Sequence, residues 1–326
     1  MSWLPVGLIN DIRQLSRGRD LLGQARTPRS AVAHESDRSR RFPIGWARTN
    51  TAVAARQAIQ LGVLKPFTWS QVAADVQGLD HLEQLNGPVV IVANHSSHLD
   101  TPLILGSLPP RLRARLAVGA AADYFFDARW RALVTALVFN AFPVERRGSK
   151  RRRSLAPQLL AEGWNMLLFP EGTRSEDGWM SPPRLGPAHL CVLHGAPMVP
   201  VILRGTYAAM PRSRNWPVPG RPRVIVRYGK PLYPAADESA RDLHGRMVQA
   251  FARLWAEDEL NWYGSLRAEA RGELSLPAGP LEPSPGGGVD GRSRTVVPEG
   301  SWRRVWESSR LMPRRDRARV WRSGSS

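Results

Sequence analysis

Four short apolar runs constrain this 326-residue chain more than any other feature. They are residues 89–93 (Val-Val-Ile-Val-Ala), 166–169 (Met-Leu-Leu-Phe), 198–203 (Met-Val-Pro-Val-Ile-Leu) and 223–228 (Arg-Val-Ile-Val-Arg-Tyr). Each is short and rich in apolar or β-branched residues, and Gly87-Pro88 and Pro170 punctuate the first two. Such runs read as strands covered on both faces. Segments with helical character lie between them: residues 128–139, residues 155–162 closed by Gly163, and residues 187–194 closed by Gly195. A longer helix is expected over 237–255. Strands separated by helices predict an α/β fold, a single domain with a mixed, largely parallel sheet flanked by helices, plus flexible termini. Sheets of this kind carry function in the loops beyond the carboxyl ends of their strands.

Around this centre the chain divides into three parts. Residues 1–43 are a basic N-terminal arm with little periodicity. Residues 44–264 hold the domain. Within it, 44–64 read as helix, 116–119 as a short strand, and Phe67, Trp69 and Val76 alternate with polar residues as in another strand. Residues 265–326 form a linker rich in Pro and Gly, with Pro277, Pro280, Pro283, Pro285 and three glycines at 286–288, then a basic, disordered tail. From Trp302 onward that tail carries eight arginines against Glu307 and Asp316. Trp302, Val305 and Trp306 share one helical face there, so the tail reads either as an interfacial anchor or as a solvated basic segment. No apolar stretch reaches the roughly 18 residues of a spanning helix, and the first ten residues lack the basic start and cleavage site of a signal peptide. The single cysteine, Cys191, rules out an internal disulfide and reads as a core residue. The net charge of +18 points to polyanions: nucleic acid, anionic lipid headgroups or phosphorylated substrates.

Two loops carry the chemistry. Asn94-His95-Ser96-Ser97-His98-Leu99-Asp100 follows the first strand and leads into a helix start at Asp100-Thr101-Pro102, with Asp100 as a candidate cap. A turn can bring His95 and Asp100 together. Imidazole supplies a base near neutral pH, and a carboxylate on its other nitrogen fixes the tautomer. The same residues can also serve only as strand and helix caps. A metal set of His95, His98 and Asp100 has no recognised zinc spacing. The second loop, Phe169-Pro170-Glu171-Gly172-Thr173-Arg174-Ser175, follows the second strand. Gly172 permits close backbone approach, and Arg174 can grip a phosphate bidentately. Thr173 and Ser175 can add hydrogen bonds, and Glu171 can accept from a substrate hydroxyl or pair with Arg174 in a salt-bridged turn. A third element, Ala141-Phe142-Pro143-Val144-Glu145-Arg146, precedes a basic run, Arg147 and 150–153, suited to lipid headgroups or to a solvated face. The fourth, Val199-Pro200-Val201, is by itself a buried strand.

Taken in order, these blocks resemble the glycerolipid acyltransferase superfamily, typified by 1-acylglycerol-3-phosphate acyltransferases. The family's Asn-His-x4-Asp motif is matched by Asn94, His95 and Asp100. Its Phe-Pro-Glu-Gly-Thr-Arg-Ser motif is matched at every position from Phe169 to Ser175, about 75 residues later. Glu145-Arg146 matches the second block without the family's preceding glycine. Pro183-Arg184-Leu185-Gly186 stands where the family has Phe-Lys-x-Gly. The likeness covers roughly residues 60–235. It implies an O-acyltransferase of phospholipid biosynthesis in which His95 is the general base and Asp100 its orienting partner. It further implies a substrate-binding set of Asn94, Arg146, Glu171, Gly172, Thr173, Arg174 and Ser175. The acceptor implied is a lysophospholipid, by default 1-acylglycerol 3-phosphate, and the donor acyl-coenzyme A or acyl-carrier protein. No metal or other cofactor is expected, and the enzyme is expected to sit peripherally on the cytoplasmic side of a membrane bearing anionic lipids. Other polar acceptors, among them glycerol 3-phosphate, a glycolipid or an ornithine lipid, stay open. A non-catalytic membrane- or nucleic-acid-binding protein is the alternative class, but no zinc finger, RNA signature or recognition helix supports a nucleic acid partner. The absence of a Gly-x-Ser-x-Gly elbow speaks against a serine hydrolase.

Overall fold

The computed structural model describes residues 44–121, 129–144 and 155–277. The arm at 1–43, Glu145, Arg146, the basic run to 153 and the tail at 302–326 lie outside the described residues. Along the chain a 3-10 turn, Gly45–Arg48, precedes α1 (Asn50–Ile59), which continues through a π turn at Gln60–Leu64 into α2 (Lys65–Gln71). There follow β1 (Ala73–Gln77), β2 (Val90–Ala93), α3 (Asp100–Ser107), α4 (Pro110–Ala114), β3 (Leu116–Ala121), α5 (Arg129–Phe139) and β4 (Ala141–Val144). The rest is α6 (Ala156–Ala161), β5 (Asn165–Leu168), α7 (Gly186–His194), β6 (Met198–Arg204), α8 (Thr206–Ala209), β7 (Arg223–Tyr228) and α9 (Ala240–Ala270).

The strands form one seven-stranded sheet in the order β1-β7-β6-β2-β5-β3-β4. Strands β6, β2, β5, β3 and β4 run parallel; β7 meets β6 antiparallel and carries β1 with it. The α/β reading with a mixed, largely parallel sheet therefore holds. Strand β2 is central and buried along its whole length. Because side chains alternate along a strand, Val90 and Val92 enter the apolar layer shared with α5, α6, α7 and α9. Val89, Ile91 and Ala93 enter the opposite layer, built largely from α3 and α4. Cys191 is fully buried in the first of these layers, and burial pushes its thiol up to about 12.

Three elements differ from the sequence expectation. Phe67 and Trp69 belong to helix α2, and only Val76 lies in a strand. The indole of Trp69 lies against Gly106 of α3, where a Cβ would come within 2.5 Å of the ring; this contact sets the local structure over the weak alternation. Strand β4 was hidden by Pro143, which argues against a central strand but is tolerated at a sheet edge, and β4 pairs only with β3. Helix α9 runs to Ala270, past Gly264 where the sequence pattern fades, and breaks at Asn261, whose φ is 62°. Its start is fixed by a capping box between Ser239 and Asp242.

Candidate active site

Both motif loops leave the carboxyl ends of adjacent parallel strands, β2 and β5, so the sheet itself brings them together. Asn94 continues the ladder of β2 onto β6 with its side chain: Nδ2 donates to the Leu203 carbonyl at 2.9 Å and Oδ1 accepts from the Leu203 N–H at 2.7 Å. The turn beyond it wraps around Asp100. One oxygen of that fully buried carboxylate, Oδ2, lies 2.8 Å from His95 Nδ1 and accepts the backbone N–H groups of Ser96 and Ser97, each at 2.8 Å. Asp100 is the first residue of α3 and Leu99 its cap, so the carboxylate turns back into the loop and does not cap the helix. A carboxylate that already accepts two N–H groups requires the ring nitrogen to be the donor. The His95 proton therefore sits on Nδ1, leaving a lone pair on Nε2. Ser96 Oγ meets Thr206 Oγ1 at 2.8 Å and Ser97 Oγ donates to the Met210 carbonyl, which tie the same loop to the segment after β6.

The His95 ring stacks on Phe169, with centroids 4.0 Å apart and planes at 21°. It borders a cavity of about 840 Å³. Gly172, Thr173 and Arg174 border it too, while Asn94, Glu171 and Ser175 do not. The polar groups of these last three, expected to bind substrate, are bonded within the protein. Glu171 accepts from the His95 N–H at 2.7 Å and the Ser181 N–H at 2.8 Å. Ser175 Oγ donates to Asp177 and accepts from the Gly178 N–H. Gly172 has φ +76°, and a Cβ there would stand 2.9 Å from the Arg184 guanidinium carbon, so both conformation and space demand glycine.

Sequence reasoning passed over several groups of the cavity. Arg184 stands at its mouth beside Gly172, and Arg212 reaches the same rim while donating to Glu176 Oε1 at 2.8 Å. The position of Arg184 was visible as a basic residue in a family block; nothing local marked Arg212. His98 also borders the cavity. Its burial, with Arg174 and His95 nearby, lowers its imidazole to about 4, so it is uncharged at neutral pH. Apolar side chains make up much of the remaining wall: Val118, Leu168 and Leu190 are buried or half-buried, and Leu193 is exposed at its edge. Among the described residues no three His, Cys, Asp or Glu side chains converge as a metal site, and no helix is long and apolar enough to cross a membrane.

Residues 73–204 match the family described as Acyltransferase. A chloroplastic 1-acyl-sn-glycerol-3-phosphate acyltransferase of Brassica napus is 30% identical over 171 residues, which is 49% of this chain and 45% of that protein. The mouse 1-acyl-sn-glycerol-3-phosphate acyltransferase alpha is 30% identical over 167 residues, 48% of this chain and 54% of that one. The matched region thus spans about half the length of these relatives. The crystal structure of the 1-acyl-sn-glycerophosphate (LPA) acyltransferase of Thermotoga maritima superposes with a TM-score of 0.46 at 24% identity, covering 67% of this chain and 84% of that one. The His95 and Phe169 loops both fall inside the segment that matches the Acyltransferase family.

Proposed function

We propose that this chain is an O-acyltransferase that moves a fatty acyl group from a thioester to the free hydroxyl of a lysophospholipid, with 1-acylglycerol 3-phosphate as acceptor. The observation that carries this reading is one cavity lined by three chemistries. Arg174, Arg184 and Arg212 border it, the His95 imidazole on the same wall is backed by a buried carboxylate, and apolar side chains line much of the rest. The arginines suit a phosphate, and the apolar lining suits an alkyl chain.

His95 Nε2 takes the proton of the acceptor hydroxyl as its oxygen bonds to the thioester carbonyl carbon. Asp100 holds the imidazolium that forms. The tetrahedral intermediate then expels the thiolate, and His95 returns the proton to the departing sulfur. Acyl-coenzyme A and acyl-carrier protein both offer such a thioester. A peripheral membrane position is supported by the exposed side chains of Leu61, Val63, Phe67 and Trp216 together with the net positive charge. Phe67 and Trp216 pack edge to face at 5.5 Å, so this apolar surface joins α2 to the segment before β7.

The test is acyl transfer from labelled acyl-coenzyme A to a panel of lysophosphatidic acid, lysophosphatidylcholine and glycerol 3-phosphate, with wild type against Arg174→Ala. Charge-assisted hydrogen bonds contribute enough that the variant should raise the KM for lysophosphatidic acid by roughly tenfold or more. An unchanged KM would remove Arg174 from phosphate binding, and transfer only to acceptors without a terminal phosphate would overturn the choice of acceptor.

A further inference from the structure

The Phe169–Ser175 loop grips the peptide of His95 from two sides. Its Glu171 carboxylate accepts the His95 N–H, and its Ser175 N–H donates to the His95 carbonyl at 2.8 Å. Phe169, from the same loop, lies flat on the imidazole. The second oxygen of Glu171 takes the Ser181 N–H and so fastens the segment that leads to Arg184. Glu171 is 5% exposed, and its residue does not border the cavity. For its carboxylate to reach a substrate, two N–H groups would have to give up their acceptor. A buried donor without a partner is costly.

We propose that Glu171 is a positioning residue for His95, not a ligand for the acceptor. Its carboxylate joins the His95 peptide to the Ser181 peptide and so sets where the imidazole stands relative to the arginine-lined mouth. The assignment deepens the acyltransferase reading and rests on it for its kinetic consequence, though the clamp itself is a matter of geometry. Asp100 is the other carboxylate behind this loop and acts on the ring, whereas Glu171 acts on the backbone. Burial pushes the Glu171 carboxyl up to about 7, against the opposing pull of its two N–H partners.

The experiment uses the full chain with Glu171→Gln, compared with wild type and Arg174→Ala. Glutamine keeps the volume but has one accepting oxygen, and its NH2 group faces the other N–H. Two readouts are taken: acyl-transfer kinetics, and hydrogen exchange of the His95 amide. The expected result is a kcat lower by roughly ten- to a hundredfold, the loss of a hydrogen bond to a charged group. The acceptor KM should stay within about twofold, and the His95 amide should exchange at least tenfold faster under the same estimate. Arg174→Ala should leave that exchange slow. A raised acceptor KM with kcat intact, or His95 exchange unchanged in Glu171→Gln, overturns the proposal. If wild type transfers no acyl group to any acceptor, the acyltransferase reading falls, and the exchange comparison still decides the clamp.

Discussion

Replacing His95 by alanine is expected to lower acyl transfer roughly a thousandfold or more, the scale on which bases backed by a carboxylate contribute. The expectation follows from how little else near the acceptor hydroxyl can take a proton. His98 borders the same cavity, but an imidazole lowered to about 4 is a weak base and cannot stand in. Glu171 is turned to the backbone, and the Asp100 carboxylate is fully buried behind the ring. The fold should survive the change, since Asn94, Ser96, Ser97 and Asp100 keep their own bonds to the loop and its neighbours without the imidazole. Steady-state kinetics with a circular dichroism control reads the effect. Activity within tenfold of wild type would remove His95 from the chemistry.

Asp100→Asn should cost nearly as much, roughly a thousandfold to ten-thousandfold, by the precedent of triads whose carboxylate is converted to amide. Three donors converge on one Asp100 oxygen. An asparagine that keeps its oxygen toward the two backbone N–H groups loses the negative charge that holds the imidazolium. If its NH2 instead faces Nδ1, the ring must move its proton to Nε2, the atom that has to accept one. Both arrangements disable the base without emptying the site. The other Asp100 oxygen is buried with no hydrogen-bond partner, so an NH2 group placed there adds a stability cost of about 1–3 kcal/mol. Measuring kcat alongside the thermal midpoint separates the two effects. A variant that folds and keeps a tenth of the activity would assign Asp100 to structure alone.

How far the site could be read from the sequence depended on whether its parts are contiguous. The central strands were plain because β-branched runs such as 89–93 stay strands in any environment that buries both faces. The His95–Asp100 pair was legible because five residues of loop are enough to close it. Strand β4 was obscured because the meaning of Pro143 depends on its place at the sheet edge, and that is decided by strand order. The directions of Asn94, Glu171 and Ser175 were also out of reach. Asn94 and Glu171 are claimed by backbone groups that only the side-by-side placement of β6, β2 and β5 brings near, while Ser175 is claimed within its own loop by Asp177 and Gly178. Arg212 arrives at the rim from the far side of β6, 38 residues after Arg174, and no local pattern announces such a meeting.

The most direct test of the account is thiol release from acyl-coenzyme A by the purified wild-type chain, followed with and without lysophosphatidic acid. A positioned hydroxyl acceptor means that thiol release should depend on the lysolipid and match, mole for mole, the appearance of diacylated phosphatidic acid. Thiol released equally fast without any lysolipid, with free fatty acid as the product, would mean that the His95 site activates water, and would contradict acyl transfer as the function of this cavity.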